Sequence, residues 1–541
     1  MSGVKEWPIF SMLELRLWCD PYNDSYTKYC DTLMIHFPMV AQLSFFIMLD
    51  TLADLIDKPA FQIAVVCIIT SLIASHCSGR QLSHIPAFGS SRVLFFMGVI
   101  EFMFNAPELV RRGCNKYPNG FFRVPRFFRW VVIVQKTEFI QEIWKAPDEV
   151  LSFDDASVEL FQSEWFFDKD TLENPYHFTT VRTHFTKNLR SIFLALHGEY
   201  IASLNKYIPA GQDWLKLNAM DAIAPILCRA SNRIIVGSPL CQDPDWINLN
   251  IRFATDVMVA VRTLQMVPSF LKPLASALFT NTAAGMARGA HYLQPLIAQR
   301  QKGFDENDID KPNDFLTWLM EAQGKDCNVY ELTERIFDIN SAGLHSTRVT
   351  FCRVLYYLAE YPEYAAEIRE EVENIVKQEG WTYAAITKMV KVDSFIKESQ
   401  RLNTIRCISM PRIARQPFTF SDGTHIPVGT YITVATHAIH TDGSRYSNPF
   451  SFEPFRFADK TRKDNKGRKL EMTATQTDSL TWGLGPHACP ARFFVATQLK
   501  LLLALMVVMY DMKLEGPRPT NTWLVDECLP DMHAEVLFRH R

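Results

Sequence analysis

The chain of 541 residues contains no Cys-x-x-Cys pair. Its twelve cysteines lie far apart, which excludes the staple framework of a small secreted domain and the paired-ligand spacing of a structural zinc site, and suits a reducing compartment. Charge of one sign is also scarce. The net charge is −3, so bulk electrostatics exclude nucleic acid as a partner. No Gly-x-Gly-x-x-Gly follows a strand pattern, so no dinucleotide site is visible. No internal repeat, low-complexity tract or long linker divides the body. A standard secretory signal is missing too, because MSGVKEWPIFSMLELRLWCD puts charge beside each short apolar run.

What is present is apolar bulk: 48% hydrophobic residues and 39 Phe, enough for one large globular core or several smaller ones. The run PAFQIAVVCIITSLIASHCSG, residues 59–79, carries no Asp, Glu, Lys or Arg and has the length a helix needs to cross a bilayer. A buried core helix is the alternative. A second run at 32–49 is interrupted by His36 and Pro38 and is read as a possible second membrane segment or an amphipathic helix. Arg80, Arg92, Arg111 and Arg112 follow the stronger run and place everything downstream on the cytosolic side. The expected organisation is an N-terminal extension (1–58), a transmembrane helix (59–79) and a body (80–541).

Within the body, helical spacing dominates. It runs through NPYHFTTVRTHFTKNLRSIFLALHGEYIASL and again from ELTERIFDIN to EVENIV. Strand-like alternation is confined mainly to FRWVVIVQ and PFTFSDGTHIPVGTYITVATH, where SDG and PVG are turn signals. HIPAFGSS (84–91) reads as punctuation, and the polar run 458–472 as a solvated loop. The fold class is therefore mainly α with a small β part.

One cysteine has a setting unlike the others. In TWGLGPHACPARFF, Cys489 follows a turn with Gly483 and Gly485, and Pro490 suits the start of the apolar helix that follows. A thiol at a helix N-terminus gains acidity from the dipole and from backbone N–H groups. A thiolate held in this way is a good axial ligand for heme iron. A buried structural cysteine is the alternative.

Trp482-x-x-Gly485-x-x-x-Cys489-x-Ala491-Arg492 resembles the heme-ligand signature of the cytochrome P-450 monooxygenases, with Trp482 where the family has Phe and Ala491 where it has Gly. Three more segments follow the family's order. Glu398-Ser399-Gln400-Arg401 resembles its Glu-x-x-Arg motif, whose two ends share one helix face. FEPFRF (452–457) resembles the segment whose arginine, here Arg456, joins that pair. SAGLHST (341–347) resembles the oxygen-activating helix: Ala342 and Gly343 match, while His345 and Ser346 stand for the usual acid and threonine. A serine keeps the hydroxyl, and a histidine can shuttle protons near neutrality.

The resemblance implies the cytochrome P-450 fold behind an N-terminal transmembrane anchor, and heme b (iron protoporphyrin IX) with Cys489 as axial thiolate and sole metal ligand. It also implies His487, Arg412 and Arg182 at the propionates, with Trp482, Gly485, Ala342 and Gly343 around the cofactor. Ser346 and His345 are the expected proton-delivering residues. The implied reaction is oxygenation of a hydrophobic small molecule using O2 and electrons from a separate NADPH–cytochrome P-450 reductase, with cytochrome b5 as an additional donor. The setting is the endoplasmic reticulum membrane, with the heme-thiolate domain in the cytosol. IPAFGSS, APDEVLSFDDA and ASNRIIVGSPLC resemble fungal members of specialised, terpenoid metabolism. Two other readings remain: a heme-thiolate isomerase or peroxygenase that needs neither O2 nor reductase, and a non-catalytic membrane heme protein that binds a lipid.

Overall fold

The strand signal in FRWVVIVQ becomes the second strand of a hairpin. The strands Phe122–Arg126 and Arg129–Val134 pair antiparallel in the computed structural model. The structure describes residues 79–92, 94–280, 282–302, 311–324, 327–458 and 470–541, with Thr70 and Ile73. The expected extension (1–58) and the run 32–49 lie outside the described residues, as does the expected membrane helix (59–79) apart from Thr70, Ile73 and Gly79. Most of the polar run 458–472 does too. The chain divides into units 1–71 and 72–541, and everything below belongs to the second.

Residues 130–134 form an unbroken apolar run because both faces of the strand are covered. Val132 and Val134 pack with Ile143, Ile432 and Val434 on one face. Val131 and Ile133 pack with Phe102 and Leu109 on the other. This is the period of two expected of a strand. Its outer edge is joined by Tyr431–Val434 in parallel, with Val131 opposite Tyr431. Ser409–Ala414 then pairs antiparallel with Tyr431–Val434, and Leu151–Ser152 closes the five-stranded sheet. SDG forms the tip of the small hairpin Phe418–Thr419 and His425–Ile426.

The helical pattern beginning at residue 174 becomes the helix Tyr176–Thr180, a π turn Val181–Phe185 and the helix Thr186–Tyr207. The pattern running from 331 to 376 divides at Pro362, which lacks the N–H an uninterrupted helix needs. Val329–Glu360 lies before the break and Pro362–Glu379 after it. Asn328 caps the long helix by accepting from the N–H groups of Tyr330 and Glu331. Of its residues, most from Val349 to Ala359 are buried in the large helical core. The last helix, Arg492–Met509, is the one helix among the described residues long and apolar enough to cross a membrane, yet it is mostly buried in that same core.

Four short C-terminal strands carry no clear sequence signal. Glu535–His540 sits between Leu215–Asn218 and Tyr510–Lys513. Thr522–Leu524 pairs with Glu527–Leu529 in a hairpin spanning 522–529.

Candidate functional site around Cys489

The loop before the last helix is built by its own backbone. Gly483 N–H donates to the Leu480 carbonyl at 3.0 Å, Ala488 N–H to Gly485 at 3.1 Å, and Cys489 N–H to Trp482 at 2.7 Å. Gly483 and Gly485 have φ of +74° and +69°, where an L side chain is strained. A Cβ at Gly485 would also lie 2.6 Å from Trp144 Cε3, so the indole packs where only glycine fits. The Trp482 ring is anchored by its Nε1–H to the Met472 carbonyl at 2.6 Å. Pro490 lies in the turn ahead of the helix rather than in its first turn, and the helix begins at Arg492.

Cys489 is the only one of the eight described cysteines that is not buried. It lines a cavity of about 250 Å³ with Phe153, Met410, Arg412, Trp482 and His487. Burial pushes its thiol up. The N–H groups of Ala491 and Arg492 and the Arg492 charge act in the opposite direction. The helix N-terminus therefore moderates the thiol without ionising it, and coordination to a metal cation is what would remove the proton.

Arg412 comes from Ser409–Ala414, where the register shifts between Ser409 and Arg412 and Met410 adopts φ +55°. Such an irregularity re-aims the following side chain. Arg412 is 1% exposed, so it is no surface arginine. Its guanidinium lies over the Phe153 ring, 5.2 Å from the centroid. Burial pushes it down to about 10, against the attraction of Asp148 and Asp154. Nη1 donates to the Pro411 carbonyl, and Nε has no partner. His487 also stacks on the Phe153 ring, with centroids 4.6 Å apart, and its Nε2 is 3.7 Å from Asp148 Oδ1. Arg182, on the π turn, donates from Nη2 to the Pro486 carbonyl at 2.9 Å. A half-buried soft sulfur, aromatic walls and a buried cation with a spare donor fit a flat, metal-bearing group with carboxylate arms, as heme b is.

Glu398, Arg401 and Arg456 converge. Arg401 grips Glu398 with two hydrogen bonds of 2.8 Å, and Arg456 Nε lies 3.1 and 3.2 Å from the two carboxylate oxygens. Glu398 is fully buried, so this is no surface pair. Arg401 also donates to the carbonyls of His440, Pro449 and Ser451, and Arg456 to that of Ser447. The network therefore ties the segment 440–456 to the helix Val390–Leu402. A buried ion set of this kind fixes geometry more than it adds stability.

On the long helix, Ser346 Oγ donates to the Ala342 carbonyl at 2.9 Å. Ala342 is exposed between buried Ser341 and Leu344, and a Cβ on Gly343 would meet open space. The small residues thus leave room beside an otherwise packed helix, and the backbone does not bend there. His345 Nε2 lies 3.0 Å from Glu527 Oε1. Sequence reasoning missed Glu527 and His440, because neither belongs to a local pattern.

The family profile described as Cytochrome P-450 matches residues 88–529. The chain is 35% identical to cytochrome P-450 monooxygenase 151 of Postia placenta over 88% of its own length and 97% of the relative's. It is equally close, at 35%, to monooxygenase 71 of the same fungus over 90% and 99%. Ent-kaurene oxidase of Gibberella intermedia is 26% identical over 82% of the chain and 85% of that protein. A match of this extent, on a helical body with a small sheet part, shows that the chain belongs to the cytochrome P-450 family, oxidoreductases that use heme b on a cysteine thiolate to incorporate oxygen.

Proposed function

We propose that Cys489 is the thiolate holding heme b, and that this enzyme oxidises a hydrophobic small molecule of terpenoid-like or aromatic skeleton in fungal secondary metabolism. The observation that carries the reading is the half-buried Cys489 sulfur opening on a cavity that also receives the buried Arg412, whose Nε is unpartnered. In this reading Arg412, Arg182 and His487 hold the propionates, while Trp482 and Gly485 shape the wall behind the sulfur. When bound, the heme supplies O2 activation and C–H oxidation.

The chain's own part is positioning and proton control. Glu398, Arg401 and Arg456 hold the segment that leads to the cysteine loop. Ala342 and Gly343 leave space for a ligand beside the long helix. The Ser346 hydroxyl, parked on the Ala342 carbonyl, turns to pass a proton, and His345 next to it is the titratable group.

Electrons come from a separate NADPH–cytochrome P-450 reductase, with cytochrome b5 as a second donor. The heme-thiolate domain is assigned to 80–541, behind a membrane helix at 59–79 and an extension at 1–58, facing the cytosol from the endoplasmic reticulum membrane. Support for a membrane surface comes from exposed apolar side chains: Leu94, Phe96, Ile100 and Phe104 on one segment, and Phe270, Leu274 and Leu278 on another. The relative named ent-kaurene oxidase supports a terpenoid-like skeleton.

The deciding experiment is expression in reductase-containing microsomes with a panel of terpenoids and aromatics, followed by mass analysis. Products that gain oxygen only with NADPH and O2 support the reading. Turnover on peroxide alone, indifferent to NADPH, selects the isomerase or peroxygenase alternative. Tight binding without product selects the lipid-binding one.

A further inference from the structure

Glu527 belongs to the C-terminal hairpin, yet its side chain reaches the long helix. Oε1 lies 3.0 Å from His345 Nε2, and Oε2 accepts from Arg262 Nη2 at 2.9 Å. Both members of the imidazole–carboxylate pair are largely buried, with side chains 16% and 10% exposed. The charged groups facing Glu527 come from several elements: Arg262 on the helix Pro244–Gln265, Arg353 on the long helix, and Arg406 in the segment after Val390–Leu402. Its neighbour Asp526 is paired with Arg406 at 3.0 Å and approached by Arg126 at 3.5 Å. Burial alone would raise the Glu527 carboxyl, but the His345 hydrogen bond and the Arg406 and Arg262 charges outweigh it and hold it at about 2.

An ionised carboxylate can only accept hydrogen bonds. The proton shared in this pair is therefore on His345 Nε2, which leaves Nδ1 as the ring nitrogen turned away from the carboxylate. A carboxylate on one ring nitrogen fixes the tautomer and steadies the imidazolium that forms when the other nitrogen is protonated.

We infer that Glu527 is a positioning residue for proton delivery, holding His345 in the tautomer that takes up and releases protons at Nδ1. A proton arriving at Nδ1 gives an imidazolium paired with the Glu527 carboxylate. One proton then leaves Nδ1 through water or the Ser346 hydroxyl, and the pair returns to its starting charge. The step thus depends on the hairpin 522–529 being seated against the helix. The inference rests on the monooxygenase reading above.

The test uses the holoenzyme with Glu527→Gln, which removes the charge at nearly constant shape, and Glu527→Asp, which keeps it. With Glu527→Gln, oxidised product per NADPH should fall by on the order of a hundredfold. Electrons should be diverted to peroxide and the solvent isotope effect on turnover should rise, while substrate binding is unchanged. Glu527→Asp should restore most of the yield. A thermal-unfolding cycle of Glu527→Gln with His345→Ala, which needs no turnover, should show that the two losses are not additive. Additive losses, or an unchanged yield and isotope effect in Glu527→Gln, overturn the inference. If Glu527→Gln does not fold, Glu527→Asp decides, since full uncoupling with the charge retained also overturns it. A wild-type protein with no heme-thiolate carbon monoxide band instead overturns the underlying function, while the unfolding cycle still reports on the pair.

Discussion

His440 Nε2 accepts the Leu480 N–H at 2.8 Å, and this bond joins the buried ion network to the cysteine loop. Arg401 holds the His440 carbonyl at 2.7 Å on one side. On the other, the Leu480 carbonyl accepts from Gly483, and Trp482 accepts from Cys489. A short chain of hydrogen bonds thus leads from Glu398 to Cys489, and it requires a neutral His440 ring with a free lone pair.

Burial, then the nearby His437 and Arg401 charges, lowers His440 from 6.5 to about 3. Burial likewise lowers His437 to about 4. Both folded values lie below the unfolded one, so the stability they confer is complete above about pH 6.5. It is lost as pH falls from there toward 4 and 3, because the unfolded chain takes up protons that the folded chain refuses. Unfolding midpoints at about pH 7 and about pH 5 should differ in that direction, and less so in His440→Asn. A wild-type midpoint indifferent to this pH change would contradict the account.

Glu398→Gln leaves the guanidinium groups of Arg401 and Arg456 buried without their anion. Urea unfolding should show a loss of about 3–5 kcal/mol. A loss below about 1 kcal/mol would mean that the network is not buried as described.

Cys489→Ser should fold, because the loop is held by backbone bonds and by Trp482 rather than by the sulfur. Without heme, its unfolding free energy should change by no more than about 1 kcal/mol. The heme-thiolate band of the reduced carbon monoxide complex should vanish; its survival would remove Cys489 from the ligand position.

Arg412→Leu removes a buried cation whose Nε has no partner. Without heme, this variant should unfold no earlier than the parent. Heme transfer from the loaded variant to apomyoglobin should be faster. Unchanged transfer would argue against a propionate role.

The cysteine loop is legible in sequence because its constraints are local: two glycines, a cysteine and an apolar helix fall within a few residues. The reason Gly485 cannot change is not legible, since Trp144 arrives from another part of the chain. Glu398, Arg401 and Arg456 are readable as motifs, but the carbonyls they hold appear only in three dimensions. Glu527 and His345 are 182 residues apart, and nothing in VDECLP signals the pairing. The two strands of the Glu527 hairpin are three residues long each, too short for alternation to register. The N-terminal membrane expectation concerns residues outside those described.

The parallel pairing of Val131 with Tyr431 bears on biosynthesis. At about 5–20 residues per second, the first hairpin emerges from the ribosome tens of seconds before its neighbour exists. During that wait the edge that Tyr431–Val434 later pairs is open, and the face that Ile432 and Val434 later meet lacks them, although Phe102 and Leu109 are already present for the other face. Nascent chains stalled before residue 431 should therefore depend on chaperone shielding, and fragments ending there should aggregate where the complete protein does not.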